Sequence, residues 1–461
     1  MTRVLLVGSG AREHAIAASL SRSASVELYA AMASRNPGII KLAKSATTMK
    51  INDPQAVADY ATRTKVELAV IGPEGPLVTG VVDELIKAGV RCVGPTKKLA
   101  SLEGDKAYCR ELLDKYEISG NPFFRIFTDA NSAEAFIKTA GPIAIKPAGL
   151  TGGKGVKVSG EDLPSKEAEI EYARQVLQSK PGGVAKLIVE ERLDGEEYSV
   201  QACVDGHDVH VMPLVQDHKR AYDGDSGPNT GGMGSYSDRD QLLPFVTRKD
   251  LEASSQIMAN VVQALKKETG EEYHGILYGQ FMLARSVNEK KPSPKLVEFN
   301  CRFGDPEAMN VLPLLRTDFE EVCEKIASGN LSARHVSFES KASVCKYLVP
   351  TGYPDSAGIG QEIQVDEIAI QREGASVFYG SVDMKDGHIV TAASRTVAVV
   401  GFGDTIEVAE RLAESVTSHV TGPLWHRRDI GTASLIRKRI EHVKSLETGR
   451  LVNAPLQAGI A

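Results

Sequence analysis

The first hundred residues of the chain alternate short apolar runs with segments of helical composition. The apolar runs are typical of buried strands and cover residues 4–7, 26–30, 68–71 and 90–93. Helical segments are predicted between them, at residues 11–21 and 78–88. Strands separated by helices form βαβ units, whose strands lie parallel in one sheet. The sequence therefore predicts a Rossmann-like α/β domain at the N-terminus.

The remaining chain is long enough for two more domains, since 461 residues at about 150 per domain give roughly three. The middle of the chain reads as strands, a hairpin across Asp205-Gly206, and helices near residues 249–268 and 306–328. From about residue 342 the pattern changes to short strands and one helix near 404–417. This change indicates a third, mixed α/β domain.

The composition excludes several classes of protein. Hydrophobic residues are 42% and charged residues 25%, as in a globular chain, and the formal net charge of −6 argues against a nucleic-acid binder. The chain has no apolar window of the ~18 residues that a membrane helix needs, and no signal peptide is expected. The six cysteines are too scattered for a zinc knuckle or a redox pair, so we expect reduced thiols in a cytoplasmic protein.

Gly8-Ser9-Gly10 follows the first strand and opens a helix, where backbone N–H groups attract phosphate. A dinucleotide fingerprint needs a third glycine where Glu13 stands, and an acidic residue after the second strand, where the chain has Ala31-Met32. A nicotinamide-dependent oxidoreductase is therefore disfavoured. A phosphosugar site and a plain tight turn both remain open.

A second glycine-rich loop, residues 149–155, carries Lys154 between two strands. A Walker loop would instead pass into a helix and end in Lys-Ser or Lys-Thr. Glycines let a backbone lie over phosphate oxygens while a lysine neutralises their charge, although a surface hairpin with a solvated lysine is the alternative. Lys146 precedes this loop on an apolar strand, where a lysine needs an anionic partner or a ligand.

Glu298 and Asn300 are two positions apart on a predicted strand and therefore face the same side. A carboxylate and an amide oxygen suit Mg²⁺, which shares hard oxygen ligands with substrate phosphates. Arg302, Asp305 and Glu307 follow directly, either as site residues or as surface ion pairs. The sequence thus predicts a divalent metal site at the end of this strand.

Residues 217–237 form a long, polar, glycine-rich segment that suits a lid approaching a ligand with its backbone. The alternative is an ordinary solvated loop. His218 lies in its charged run Asp217-His218-Lys219-Arg220, where a base is possible but a surface histidine is the usual outcome.

Together these motifs resemble the ATP-grasp ligases and, within them, the glycinamide ribonucleotide synthetase (phosphoribosylamine–glycine ligase) family. The resemblance covers nearly the whole chain and includes Gly72-Pro73-Glu74-Gly75-Pro76-Leu77 and Arg427-Arg428-Asp429-Ile430-Gly431. It implies a pre-ATP-grasp domain at 1–102, an ATP-grasp domain at 103–340 with an ATP subdomain at about 123–195, and a closing domain at 341–445.

The family's activity would join glycine to 5-phosphoribosylamine through a glycyl phosphate, with ATP and Mg²⁺ or Mn²⁺. The resemblance implies small-molecule substrates, no nucleic-acid or membrane partner, and a monomer or weak dimer. Another ATP-grasp ligase or carboxylase, or a non-catalytic nucleotide sensor on the same fold, are the alternatives within this fold.

The resemblance also implies roles for single residues. Glu298 and Asn300 match the metal ligands. The ATP contacts would come from Lys106, Lys146, Lys154, Gly155, Glu190, Glu191, Leu193 and Glu197, with Glu197 at the ribose and residues 190–193 at the adenine. Arg302, Lys154 and Asp217 are the catalytic candidates, with Asp217 at the glycine ammonium. The substrates would also meet Gly8, Gly10, Gly72, Pro73, Glu74, Lys219, Asn229, Thr230, Gly231 and Asp305.

Overall fold

The computed structural model of the chain describes residues 1–150, 155–286, 289 and 291–448. Its N-terminal region contains β1 (Thr2–Val7), α1 (Ala11–Leu20), β2 (Val26–Met32), α2 (Pro37–Leu42), β3 (Ser45–Thr48), α3 (Pro54–Thr64), β4 (Leu68–Ile71), α4 (Glu74–Thr79), α5 (Val81–Lys87) and β5 (Arg91–Val93). The sheet order is β3-β2-β1-β4-β5, and all neighbouring strands are parallel. The predicted parallel sheet is confirmed.

The parallel arrangement brings two glycine turns to one edge of this sheet. Val7 at the end of β1 pairs with Ile71 at the end of β4, so the turns that begin at Gly8 and Gly72 are neighbours. The apolar run Val4–Val7 is fully buried, as a strand covered on both faces requires.

A small α/β unit follows two helices, α6 (Ser101–Gly104) and α7 (Lys106–Lys115). The unit contains β6 (Phe124–Phe127), α8 (Ala130–Thr139), β7 (Ile143–Pro147), β8 (Lys157–Val158), α9 (Lys166–Ser179) and β9 (Leu187–Glu191). Its antiparallel sheet has the order β6-β9-β7-β8, and the glycine-rich loop joins β7 to β8. This unit is called the ATP subdomain below.

The central sheet has the order β11-β10-β16-β17 and is antiparallel. Its strands are β10 (Gly195–Asp205), β11 (Val209–Val211), β16 (His274–Ala284) and β17 (Ser293–Asn300). The helices of this region are α10 (Arg248–Thr269), α11 (Glu307–Val311) and α12 (Phe319–Ser328). The predicted single helical stretch at 306–328 is thus two helices separated by a turn that contains Pro313.

The predicted lid at residues 217–237 is built into sheets. It contains β12 (Gln216–Asp217), β13 (Arg220–Tyr222), β14 (Ser226–Asn229) and β15 (Gly234–Ser237). β13 and β14 form a hairpin, whereas β15 lies between β12 and the first C-terminal strand, β18 (Ala342–Pro350). The segment therefore joins the central and C-terminal regions.

The C-terminal region continues with β19 (Glu362–Val365), α13 (Glu367–Arg372), β20 (Ser376–Tyr379), β21 (Val382–Lys385), β22 (His388–Thr391), β23 (Val397–Gly403), α14 (Ile406–Val416), β24 (Val420–Thr421), β25 (Leu424–His426) and α15 (Ala433–Thr448). The prediction of one helix here was wrong, because α13 and α15 accompany α14. Among the described residues, no helix has the length and apolar character that a membrane crossing requires.

Candidate functional site

A cleft of about 440 Å³ opens where the ATP subdomain, the central sheet and the N-terminal region meet. One wall carries Leu150, which follows β7, Val156, which precedes β8, and Val158 of β8. The opposite wall carries the end of β17 and the segment that contains Asp217. The cleft collects most of the charged residues singled out in the sequence.

The predicted metal pair lies at the end of β17 on this wall. Glu298 and Asn300 both line the cleft, as alternate positions on one strand should. Burial alone would raise the pKa of Glu298, but the nearby charges of Lys106 and Lys219 lower it to about 2. The Lys106 Nζ lies 3.9 Å from Glu298 Oε2. An ionised carboxylate beside an amide oxygen is a donor set that fits Mg²⁺ or Mn²⁺.

Lys146 has the anionic partner that its apolar strand requires. Its Nζ lies 2.8 Å from Glu190 Oε2 and donates to the backbone oxygen of Val297 at 3.3 Å. Arg110 donates to both oxygens of the same carboxylate, at 2.8 and 3.1 Å. The Glu190 carboxylate binds both of these cations and therefore positions Lys146. Of Glu190, only the backbone remains available to contact an adenine.

The other predicted adenine and ribose residues divide into two groups. Glu197 lines the cleft, where its Oε2 accepts a hydrogen bond from Gln280 Nε2 at 3.0 Å and lies 3.4 Å from Lys219 Nζ. Within the described part of the chain, Glu190, Glu191 and Leu193 lie outside the cleft lining. The Glu191 carboxylate accepts from the backbone N–H of Phe123 instead.

The phosphate-loop candidates are only partly covered by the structure. Lys154 lies outside the described residues, as do Thr151, Gly152 and Gly153. Gly155 is described, and its carbonyl oxygen accepts from the Tyr172 hydroxyl at 2.7 Å. This bond fixes the far end of the loop to α9.

Arg302 connects the metal pair to the N-terminal half of the chain. Its guanidinium lies 3.4 Å from Glu74 and 3.2 Å from Glu103, and its Nη2 donates to Asn300 Oδ1 at 3.1 Å. Burial would raise the pKa of Glu74, but Arg302 and then Arg12 lower it to about 2. Glu74 thus enters the cleft as a carboxylate, at the end of the second glycine turn.

The two N-terminal glycine turns pack around the side chain of Glu13. The Gly10 N–H donates to Glu13 Oε2 at 2.6 Å. A Cβ at Gly8 would lie 2.5 Å from the Glu13 side chain, and one at Gly72 only 2.3 Å from it. Both glycines are therefore required by the space that Glu13 fills, and the Gly10 amide is not free for a phosphate. Pro73 caps α4 directly before Glu74.

Asp217, Lys219, Asn229, Thr230, Gly231 and Asp305 all line the opposite end of the cleft. Burial and the charge of Glu307 raise the pKa of Asp217 well above its ordinary value. Asp305 Oδ1 accepts from the Tyr347 hydroxyl at 2.6 Å and lies 3.3 Å from Arg395.

The sequence analysis did not identify Arg395, which hydrogen-bonds to the backbone at this end of the cleft. Its Nη1 donates to the backbone oxygens of Gly231, Gly232 and Asp305, at 2.6 to 3.0 Å. Arg395 stands between Ser394 and Thr396 without a glycine or charge pattern, so no local motif marks it as a site residue.

The expectation of a surface histidine at 218 was wrong. His218 is 2% exposed, packs on the Tyr236 ring, and neither ring nitrogen has a hydrogen-bond partner among the described residues. Burial, followed by the charges of Arg427 and Arg439, lowers its pKa to about 3. The imidazole is therefore neutral at ordinary pH.

Comparisons with known proteins match most of the chain. Family models for phosphoribosylglycinamide synthetase match as the N domain at residues 2–103, the ATP-grasp (A) domain at 104–308 and the C domain at 343–433. The phosphoribosylamine–glycine ligase of Methanoregula boonei is 51% identical over 445 residues, which are 96% of this chain and 100% of the relative. That of Methanothermobacter thermautotrophicus is 48% identical over 447 residues, 97% and 100% of the two chains.

Solved structures give the same grouping. The crystal structure of phosphoribosylamine–glycine ligase from Thermotoga maritima has a TM-score of 0.78 and 29% identity, covering 93% of this chain and all of its own. A biotin carboxylase from Campylobacter jejuni has a TM-score of 0.69 at 13% identity, covering 95% and 96% of the two chains. The latter shows a shared fold alone.

Proposed function

Because this chain belongs to the phosphoribosylglycinamide synthetase family, we propose that its cleft joins glycine to 5-phosphoribosylamine with ATP. The chain is an ATP-dependent ligase of purine biosynthesis, and its products are glycinamide ribonucleotide, ADP and phosphate. The fold, the family and the activity agree with the resemblance found in the sequence.

The first step is the transfer of the ATP γ-phosphoryl group to the glycine carboxylate. A carboxylate oxygen forms the new P–O bond, the bond to the leaving ADP oxygen breaks, and negative charge collects on the phosphoryl oxygens. Lys106, Lys146 and Arg302 lie around Glu298 and Asn300, where they would neutralise this charge. Preformed cations in a cleft stabilise such a transition state without reorganisation.

Glu298 and Asn300 would hold the divalent cation of this reaction through one carboxylate and one amide oxygen. Mg²⁺ or Mn²⁺ supplies charge neutralisation to the phosphates and prefers oxygen donors of this kind. The ionised state of Glu298 and its place on the cleft wall support the assignment.

The second step is the attack of the phosphoribosylamine nitrogen on the glycyl phosphate. The C–N bond forms, phosphate leaves with the electron pair of the C–O bond, and the nitrogen loses a proton. Proximity and the exclusion of water govern this step, because water would hydrolyse the acyl phosphate. Residues 229–231, clamped by Arg395, would cover the intermediate, while Asp217 binds the glycine ammonium.

The phosphosugar would lie between Asp305 and the two N-terminal turns. Gly8, Gly10, Gly72 and Pro73 form the sheet edge there, and Glu74 contributes a carboxylate that suits ribose hydroxyls. Since Glu13 already occupies the Gly10 amide, we place the ribose, not the phosphate, against this turn.

One observation carries the proposal: the oxygen pair at the end of β17 and the cations Lys106, Lys146 and Arg302 meet in one cleft. The test is ADP release with ATP, Mg²⁺, glycine and phosphoribosylamine, each omitted in turn. We expect release to require all four together. Bicarbonate or formate replacing glycine at equal rate would contradict the proposal and indicate another ATP-grasp ligase or carboxylase.

We also propose four finer points. The enzyme uses Mg²⁺ or Mn²⁺, acts as a monomer or weak dimer, and is cytoplasmic, with domain boundaries near residues 102 and 340. Sedimentation and limited proteolysis would test the oligomeric state and the boundaries directly.

A further inference from the structure

The hairpin of β13 and β14 carries cleft residues at both of its ends. Arg220, the first residue of β13, lies 2.9 Å from Glu161 of the ATP subdomain, and Asn229, the last residue of β14, lines the cleft. Lys219 directly precedes the hairpin, and its Nζ lies 3.4 Å from Glu197, the carboxylate expected at the ATP ribose. The position of the hairpin therefore affects the nucleotide end of the cleft.

The turn of the hairpin is bound by two arginines from the C-terminal end of the chain. Asp225, in this turn, accepts from Arg427 Nη2 through Oδ1 at 2.8 Å and from Arg439 Nη2 through Oδ2 at 2.5 Å. The buried Arg427 also donates to Asp429, whereas Arg439 belongs to α15. Each carboxylate oxygen of Asp225 thus has its own cation.

Arg439 also reaches the central sheet. Its Nη1 lies 3.2 Å from Oε2 of Glu196, which is buried at the start of β10. Successive residues of a strand point to opposite faces, which agrees with the contacts of Glu196 to α15 and of Glu197 to Gln280. Arg439 therefore joins the hairpin turn to the strand that carries Glu197.

This link is largely withdrawn from water. The exposed fractions of the side chains are 15% for Arg439, 6% for Glu196 and 20% for Asp225, so solvent and salt screen the two ion pairs only weakly. If Arg439 is removed, His442 still bonds to Glu196 and Arg427 still bonds to Asp225. Neither carboxylate is left without a partner, so we expect loss of the link without loss of the fold.

The segment that follows the hairpin has anchors of its own. The Thr230 N–H donates to the carbonyl oxygen of Lys219 at 2.7 Å, and Arg395 donates to the carbonyl oxygens of Gly231 and Gly232. A looser hairpin turn should therefore change the nucleotide end of the cleft and leave residues 230–232 in place.

We propose that Arg439 is a positioning residue for ATP. By joining Asp225 to Glu196, it holds the hairpin against the strand that carries the ribose carboxylate Glu197. The inference rests on the proposed function and adds α15 to the parts of the chain that determine nucleotide affinity. This helix begins where the match to the C-domain family model ends.

The test compares Arg439→Met, Asp225→Asn and the double variant by ADP release with all substrates present. Asparagine tolerates the left-handed backbone of residue 225, whose φ is +58°. We expect Arg439→Met to raise the ATP KM about fivefold, with kcat and the glycine KM changed by less than about twofold. Arg439→Lys should recover part of this loss, because an ammonium lacks the fork that serves two carboxylates.

The double variant tests whether Arg439 acts through Asp225. If it does, the ATP KM of the double variant should equal that of Asp225→Asn within about twofold. Effects that multiply in the double variant would show that Arg439 acts on the nucleotide without Asp225 and would overturn the inference. So would an unchanged ATP KM in Arg439→Met, or equal changes in the ATP KM, the glycine KM and kcat.

Arg437→Met is the matched control, because it removes the same charge from an exposed position of α15 two residues earlier. It should leave the ATP KM unchanged. Calorimetric titration with MgATP alone should show the same loss of affinity in Arg439→Met, and it needs no turnover. A wild-type enzyme without glycine-dependent ADP release would overturn the proposed function, whereas equal MgATP affinities of wild type and Arg439→Met would overturn this inference.

Discussion

The two walls of the cleft are built differently. The ATP subdomain has a small core of its own, which includes Ile143, Ile145 and Val189. The opposite wall belongs to one continuous core that runs from Leu5 in the N-terminal sheet through the central sheet to the C-terminal strands. The wall that includes the end of β17 is therefore a single unit made from three regions, whereas the wall formed by the ATP subdomain is stabilised separately and is expected to open at a lower free energy.

Removal of the carboxylate proposed to bind the metal should give the largest loss of activity and should leave the stability of both walls unchanged. We expect Glu298→Gln to lower turnover by about a thousandfold, because charge stabilisation in the first transfer is worth several kcal/mol. Thermal unfolding should stay close to that of wild type. Steady-state ADP release with glycine and phosphoribosylamine checks this, with Glu407→Gln, at the exposed start of α14, as the control. Full activity in Glu298→Gln would show that the metal assignment is wrong.

Arg302 forms a buried ion pair on the wall that includes the end of β17, whereas Arg192 forms a more exposed ion pair in the ATP subdomain. Arg302→Met leaves Glu103 buried without its cation, so we expect a loss of about 3 kcal/mol in the free energy of unfolding. Arg192→Met breaks the more exposed pair with Glu161, which is worth about 1 kcal/mol or less, and a hydrogen bond from Arg192 Nη1 to the carbonyl oxygen of Ser159. Urea unfolding of both variants measures the difference. Equal losses of unfolding free energy in the two variants would contradict the predicted difference between the two ion pairs.

Core truncation tests directly whether the two walls unfold separately. Ile145→Ala should cost about 2 kcal/mol or more, and the extra hydrogen exchange should stay within the ATP subdomain. Leu5→Ala should cost a similar amount but increase exchange across the N-terminal and central sheets. Hydrogen exchange with peptide resolution distinguishes the patterns. A uniform increase over the whole chain in Ile145→Ala would mean that the chain has one cooperative core.

Arg220 contacts both walls through partly exposed groups. Its replacement should therefore have only a small effect on substrate binding. The guanidinium lies 2.9 Å from Glu161 of the ATP subdomain, and Arg427 Nη1 donates to the Arg220 carbonyl oxygen. Partly exposed pairs contribute about 1 kcal/mol or less, so Arg220→Gln should raise the ATP KM by about fivefold at most. The glycine KM is the internal control. A rise in the glycine KM alone would contradict a bridging role.

We expect the smallest effect from His442 in α15, where the effect is a pH dependence of the free energy of unfolding. Hydrogen bonds to Asp194 and then Glu196 raise the pKa of His442 to about 9. Because the folded pKa lies above the unfolded value of about 6.5, its stabilisation is complete below pH 6.5 and is lost as the pH rises through 9. The difference in unfolding free energy between wild type and His442→Gln should shrink over this window. A difference that does not vary with pH would exclude the protonated histidine.

Much of the fold was predictable from local pattern, and the failures have physical reasons. Val4–Val7 is apolar throughout, which is typical of a strand buried on both faces. β3, with the sequence Ser-Ala-Thr-Thr, carries no apolar run and was missed because it forms only by pairing with β2. α15 is half charged outside its four buried positions, so its apolar stripe is weak.

The candidate site was predictable where a motif is local and not where partners are distant. Glu298 and Asn300 are two residues apart, so their shared face followed from strand geometry. The partner of Lys146, Glu190, and its second cation Arg110 are separated by 80 residues, and no pattern connects them. His218 looked exposed because its neighbours in the sequence are charged, whereas its ring is buried against Tyr236 and lies within the electrostatic reach of Arg427, which is 209 residues away in the sequence.

The formation of glycyl phosphate is the central claim, and the fate of the glycine oxygens tests it most directly. In the proposed first step a glycine carboxylate oxygen becomes bonded to phosphorus and leaves with the phosphate in the second step. Glycine labelled with ¹⁸O in its carboxylate should therefore transfer one labelled oxygen to each phosphate released with ADP, as measured by mass spectrometry. Phosphate without the label, during normal synthesis of glycinamide ribonucleotide, would contradict the account.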